Sequence, residues 1–206
     1  MKVVSYEKKL FGLLLVVVII GTVLFGSRFI SSTTLIILTN QIPEYGVITL
    51  ALMMTLIVSG MNLSVVAMAT LSGVVGAMVM EGLSDLGPVS VVIGLVVMII
   101  VGMIAGGING LVVGYLEVPP ILTTLGTMLF FQGIALNLTK GGAITSFDST
   151  FTQIGSGSIA GIPIPFFVFV AVVIGLYYLL EKHEYGKQLY RIGKNSHSAV
   201  YSGIDV

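Results

Sequence analysis

The sequence predicts an all-α membrane protein, a bundle of about six transmembrane helices that ends in a short cytoplasmic helix. Three observations predict it. Of 206 residues, 56% are hydrophobic and only 9% charged, with a mean hydropathy of +1.10, far too apolar for a domain whose surface must stay in water. Residues 45–80 and 86–116 contain no charged side chain, and a charge at the bilayer centre costs about 2.5–3.5 kcal/mol on insertion scales. Gly102, Gly106, Gly110 and Gly114 recur at four-residue intervals, with Gly107 beside them, which lays bare backbone along one helix face. In water each such glycine costs about 1 kcal/mol relative to alanine, so the series predicts close helix packing within a membrane.

The first crossing is expected at residues 10–26. Lys2, Lys8 and Lys9 ahead of it imitate a signal peptide, but its 16 apolar residues from Leu10 to Phe25 exceed a usual signal core and 23–27 is a poor cleavage site. The second crossing, 42–58, opens on Pro43 and Glu44, and residues 33–40 ahead of it read as a half-helix or re-entrant piece. The third covers 63–80. The fourth, 89–115, has 27 residues, roughly 40 Å of helix against a hydrocarbon core of about 30 Å, so it must tilt, bend or protrude. Only residues 116–120 separate it from the fifth, 121–138, which predicts a tight helical hairpin. Residues 139–163, rich in Gly, Ser, Thr and Ile, read as an external loop with turns at Lys140-Gly141-Gly142 and Gly161. The sixth crossing covers 164–180.

An even number of crossings puts Lys2, Lys8, Lys9, Lys182, Lys187, Arg191 and Lys194 on one side and leaves Arg28 and Lys140 opposite. That asymmetry makes both ends of this portion cytoplasmic. The expected division is therefore a transmembrane helical domain, 1–181, and a cytoplasmic segment, 182–206. Within that segment Asn195 or Ser196 can cap a short helix over 197–201, and Gly203 can end it. Interfacial snorkelling, with Tyr185, Tyr190 and Tyr201 among headgroups, is the plainer reading of the same residues.

Several function classes are closed. The absence of cysteine excludes a disulfide framework and thiolate chemistry. A net charge of +0 offers no basic patch for nucleic acid. The ten methionines lack paired spacing and read as packing, and His183 and His197 both lie in the tail, so no metal or other cofactor is expected. Gly186-Lys187 precedes Gln188 without the upstream glycine of a phosphate-binding loop, so the chain is not expected to be an enzyme. Candidates for a polar translocation path are Asn62, Ser64, Asn109, Thr127 and Gln132; Asn62 can equally be a helix cap, and Asn109 and Gln132 can hydrogen-bond across helices.

Three ordered stretches resemble a known family. Tyr185, Gly186, Tyr190, Gly193, Asn195, Ala199, Ser202, Gly203 and Ile204 look like the cytoplasmic coupling loop of bacterial ABC importer permeases of the ribose and simple-sugar type. VSGMNLSVVAMATLSGVVGAM (58–78) and GGINGLVVGYLEVPPILTTLGTMLFFQGIALNLTKGGAI (106–144) resemble two further stretches of that family, in order. Departures from its pattern are Asn62 where Asp is usual, Val66 where Gly is frequent, Glu117 near a commonly basic position, Gln132 where Arg precedes Gly, and Lys187 where Arg is usual. They remove charge from the membrane and its rim.

The resemblance implies an N-terminal portion of a multi-pass permease of the bacterial cytoplasmic (inner) membrane, in a family that continues with further spans. It implies a second permease subunit in a homo- or heterodimer, cytosolic ATP-binding subunits that hydrolyse ATP, and an extracytoplasmic solute-binding protein. Gly193, Asn195, Ala199, Ser202 and Gly203 would be the ATPase docking residues. The implied solute is a pentose or hexose, with nucleosides, a signalling sugar or branched-chain amino acids as alternatives. A secondary transporter or channel is the competing class, and it would be expected to carry ionisable residues inside the membrane, where only Glu44 lies near one end. A scaffold is a third reading, and it leaves the tail unexplained.

Overall fold

A computed structural model describes residues 3–29, 31–58, 60–159, 161–195, 199 and 201. The fold is all-α, with six helices among the described residues long and apolar enough to cross a membrane: Lys8–Arg28, Ser32–Ile57, Val65–Gly82, Pro88–Tyr115, Pro120–Thr139 and Ile164–Lys182. Two compact units divide at Pro43, Met1–Ile42 and Pro43–Val206. The first holds α1 (Val3–Phe25) and a short turn of 3-10 helix, Gly26–Arg28. There Ser31 and Thr34 share a hydrogen bond at 3.0 Å, and Thr34 Oγ1 also donates to the Arg28 carbonyl at 2.9 Å. Helix α2 runs Ser32–Ile57 with Pro43 inside it. The half-helix expected at 33–40 is thus part of one longer helix. Proline lacks the N–H of the helical ladder, and the boundary between the units falls at that residue.

The second unit is organised on α3 (Val65–Gly82), which packs extensively against both α4 (Pro88–Gly110) and α5 (Pro120–Thr139), while α4 and α5 touch each other little. The expected tight hairpin is therefore splayed around a third helix. Its core joins Ala67 and Leu71 of α3, Ala105 of α4, and Phe131 and Ala135 of α5. Small residues do let backbones approach, but at a different place from the one the spacing predicts. A Cβ added at Gly76 would lie 2.8 Å from the Gly94 carbonyl oxygen, and one at Gly94 would lie 2.9 Å from that of Gly76. By contrast, Cβ atoms at Gly102, Gly110 and Gly114 would meet nothing within 4 Å, and one at Gly106 only the Met68 methyl at 3.4 Å. The four-residue spacing marks a face of α4, and most of that face is open within this chain.

The long fourth crossing resolves its excess length by rewinding. Leu111–Tyr115 form a π-helical turn after α4, and the linker then reverses through Glu117 at φ +54°, a left-handed conformation uncommon outside glycine. Pro120 opens α5 at its first turn, where a missing N–H costs nothing. The segment read as an external loop carries more structure than its composition predicts: α6 (Ser149–Ser156) and a two-stranded antiparallel ribbon, β1 (Ser158–Ile159) and β2 (Ile162–Pro163), paired Ser158 to Pro163 and Ile159 to Ile162. The Asp148 carboxylate caps α6 by accepting the Thr150 N–H at 2.8 Å.

After α7 (Ile164–Tyr177) comes a second π turn, Tyr178–Lys182, and then α8 (Glu184–Lys194). His183 Nδ1 caps α8 by accepting the Tyr185 N–H at 3.2 Å, and Lys187 donates to Glu184 at 2.9 Å. Two glycines seat this helix. Gly186 is buried against the carbonyls of Leu179 and Leu180, and Gly193 lies against the Ile57 carbonyl at the end of α2, so closely that neither position has room for a Cβ.

Two outcomes are expected. Gly94→Ala, which forces two helices apart, should cost about 1–3 kcal/mol, seen as a lower thermal midpoint in detergent; Gly73→Ala, with no atom within 4 Å of its Cβ, should stay within about 0.5 kcal/mol. Hydrogen bonds from Thr150 hold the Asp148 carboxyl below its ordinary pKa. A depressed folded-state pKa contributes stability above the unfolded value and loses it as pH falls through the folded one. The Thr150 amide resonance should therefore move to its uncapped position on acidification, and Asp148→Asn should abolish that titration.

Candidate functional site

The site forms where the third, fourth and fifth spans begin or end beside α8. Asn62, two residues ahead of Ser64, folds back on the chain: its Oδ1 accepts the Ser64 N–H at 2.9 Å and the Ser64 hydroxyl at 2.7 Å. This is the local bond that asparagine offers ahead of a helix. Ser64 occupies the N-cap position of α3 but makes no side-chain cap. Its hydroxyl is committed elsewhere, accepting Asn109 Nδ2 of α4 at 2.7 Å. The result is a relay, Asn109 to Ser64 to Asn62, that ties two helices across 45 residues of sequence. Ser64 is fully buried and Asn109 is 5% exposed. Met68 backs the group with its sulfur, 3.3 Å from Ser64 Oγ and 3.4 Å from Asn109 Nδ2.

Beside the relay lies a cavity of about 390 Å³. Its walls come from the end of α2 (Met54, Thr55), from Gly60–Asn62, from one side of α4 and its π turn (Gly106, Asn109, Gly110, Val113), from Pro120 and Thr124 of α5, and from Tyr185 and Leu189 of α8. No Asp, Glu, Lys or Arg is among them. Thr124 donates to the Pro120 carbonyl at 2.8 Å and reaches the Met61 carbonyl at 3.3 Å, pinning the 60–62 segment onto α5. Two buried side-chain atoms have no hydrogen-bond partner among the described residues, Asn109 Oδ1 and Thr123 Oγ1. Asn109 belongs to the cavity wall.

Of the path candidates, Asn62, Ser64 and Asn109 come together; Thr127 and Gln132 do not join them. Thr127 points its hydroxyl at the Thr124 carbonyl, 3.4 Å away, and Gln132 is exposed one turn further along α5. Sequence reasoning missed Thr124, Tyr185 and Leu189. The i, i+4 spacing of Tyr185 and Leu189 in an otherwise polar stretch was the available signal, and it predicts one apolar face of a helix.

In the tail, Asn195 is extended, and its carbonyl accepts the Ala199 N–H at 3.1 Å, the bond expected of a residue that starts a helix. Ala199 is 3% exposed, whereas Tyr201 is 90% exposed. Gly193 and Ala199, expected at a docking surface, are thus turned toward the chain itself, because only residues without bulk fit there. Ser202 and Gly203 lie outside the described residues, as does most of the short helix expected over 197–201.

Fold and site together define a multi-pass membrane protein carrying a neutral, partly polar cavity. The chain belongs to the family described as branched-chain amino acid transport system / permease component, whose model matches residues 33–206. It is 36% identical over 152 residues to a D-allose transport system permease protein of Escherichia coli, covering 73% of this chain and 45% of the relative. It is 31% identical over 198 residues to a ribose import permease protein of Bacillus subtilis, covering 95% and 59%. It is 32% identical over 193 residues to an autoinducer 2 import system permease protein of Yersinia enterocolitica, covering 89% and 56%. The chain thus spans about half the length of these curated relatives. No solved structure matches it.

Ser64→Ala removes the acceptor of Asn109 and a donor to Asn62 in one step, leaving buried amide groups unpaired. The expected cost is about 1–3 kcal/mol, measured as a fall in the unfolding midpoint of the detergent-solubilised protein.

Proposed function

We propose that this chain is the membrane-spanning permease component of an ATP-driven importer in a bacterial inner membrane, and that its solute is a simple sugar, a pentose or hexose. Membership of a permease family and the sugar-import names of its relatives support the class. The neutral cavity supports the solute, since a charged ligand would be stripped of water against walls that offer no counter-charge. A sugar needs hydrogen bonds, and Asn62, Ser64 and Asn109 supply them; Thr127 and Gln132 would meet solute only on a surface shared with a second permease subunit.

The observation that carries the reading is the double role of α8. Tyr185 and Leu189 form one wall of the cavity, and Gly193, two turns from the start of that wall, seats the same helix on the end of α2. In this reading residues 182–206 are cytoplasmic and 1–181 hold the spans, so α8 stands between the cavity and the cytosol. ATP-binding subunits would grip the segment after Asn195, with exposed Tyr201 and Ser202–Gly203 on the gripping face and Ala199 as its anchor. Their closure would displace α8 and open or shut the cavity toward the cytoplasm, a two-state change biased by nucleotide. A solute-binding protein would deliver ligand from the opposite side, over α6 and the β1–β2 ribbon.

Tyr201→Asp together with Gly203→Val should lower co-purification of the ATP-binding subunit at least tenfold while the permease still inserts and folds. Sugar uptake into inverted vesicles' right-side-out counterparts should need ATP inside and survive collapse of ion gradients. Unchanged co-purification, or uptake that follows an ion gradient, would transfer the chain to the secondary-transporter class. Labelling of Lys187 or Lys194 by a membrane-impermeant reagent in intact cells would reverse the proposed orientation.

A further inference from the structure

We infer that the Asn62–Asn109 end of the cavity is a hydroxyl-reading subsite, in which Asn109 Oδ1 and Asn62 Nδ2 together recognise neighbouring hydroxyls of a neutral polyol. This rests on the importer reading and specifies which residues set its selectivity. The argument is an inventory of donors and acceptors. Ser64 has one hydroxyl proton, placed on Asn62 Oδ1 at 2.7 Å, and its oxygen accepts from Asn109 Nδ2 at 2.7 Å. Asn62 Oδ1 also takes the Ser64 N–H, so both its lone pairs are used. What remains is one acceptor and one donor. Asn109 Oδ1 is buried with no partner. The nearest acceptor to Asn62 Nδ2 is the Met68 sulfur at 3.9 Å, a weak contact at the limit of range. Both asparagines line the cavity.

The shortage does not depend on which way the Asn109 amide is turned. With oxygen and nitrogen exchanged, Asn109 Oδ1 would compete with Asn62 Oδ1 for the single Ser64 proton, and an amide nitrogen would take the unpartnered position instead. Either way the site lacks one group of each kind, and a hydroxyl is the group that both donates and accepts. A carboxylate only accepts, and an ammonium only donates. With no charged side chain in the wall, a zwitterionic amino acid would bury both charges unpaired. A polyol leaves neither problem. Its C–H surfaces can lie against Met54, Val58 and Val113, and the volume of about 390 Å³ falls within the range of small-molecule sites. A site built to bond a hydroxyl rejects the analogue that lacks it far more strongly than an apolar pocket rejects a misfit, because its own polar groups are then left unpaired.

The test uses the whole permease in nanodiscs without its binding protein, so that selectivity belongs to the membrane site, and reads ligand contact by saturation-transfer NMR. D-ribose and D-allose should give saturable signals and L-leucine none. At least one monodeoxy-ribose should bind fivefold or more weakly than ribose. Asn109→Leu should bring ribose and that analogue to within twofold of each other, and Asn62→Leu, a half-buried position that tolerates substitution, should flatten discrimination at an adjacent hydroxyl. If both variants keep the wild-type ranking of the deoxy sugars, or if Asn109→Leu weakens every sugar equally, the asparagines only pack helices and the inference falls. ATP-dependent ribose uptake by the assembled transporter, run in parallel, separates the two claims: uptake with an unaltered ranking overturns the subsite alone, whereas leucine uptake without sugar uptake overturns both.

Discussion

Inside a bilayer there is no water to complete an amide's hydrogen bonds, so a buried polar side chain must find its partners in the protein. The Ser64 hydroxyl sits at that constraint in this chain. It gives up capping its own helix, takes the Asn109 amide from α4, and hands its proton to Asn62. The separation of α3 from α4 at one end, the fold of the 60–62 segment and the polarity of the cavity wall all follow from where that one oxygen is held. At the other end of the same helix pair, Gly76 and Gly94 bring the backbones together. A polar bond at one end and bare backbone at the other clamp α3 to α4.

The apolar core then completes the second unit. Leu71 and Phe131 fill the seam between α3 and α5, and Ala67, Ala105 and Ala135 keep it narrow. Because α3 lies between its neighbours, the ends of α4 and α5 diverge, and the space between them is the cavity that α8 walls off. The glycines in and after α7 serve the same end. Gly186 lets α8 turn sharply under the Leu179 and Leu180 carbonyls, and Gly193 sets its far end on α2.

Much of this was legible in the sequence, and the limits have physical causes. The six crossings follow from runs without charge, because insertion depends on summed transfer energy and not on packing. Asn62, Ser64 and Asn109 were singled out because polar groups in apolar runs are costly and therefore purposeful. Their mutual contact was not legible: two helices 45 residues apart can meet at many registers, and nothing local selects one. The glycine spacing of α4 misled for a related reason. Periodicity shows that a face is smooth, whereas the partner that meets it is set by the neighbouring helix, and here the meeting point is Gly94. Helix α6 was hidden by its composition of Ser, Thr and Gly, and it exists through the Asp148 cap. Helix α8 was hidden by its charges, since a hydropathy reading passes over a helix with a single apolar edge.

The widened turn at Leu111–Tyr115 has a consequence for how this region can vary. A π turn holds about one residue more than the α turn it replaces. Removing any one residue there would restore ordinary winding and swing everything downstream through about 100° of helical phase. Pro120 and Thr124 would then rotate off the cavity, and the left-handed corner at Glu117 would face another way. Chain length between Asn109 and Pro120 thus acts as an angular setting, so a substitution in this stretch is a mild change and a one-residue deletion a severe one.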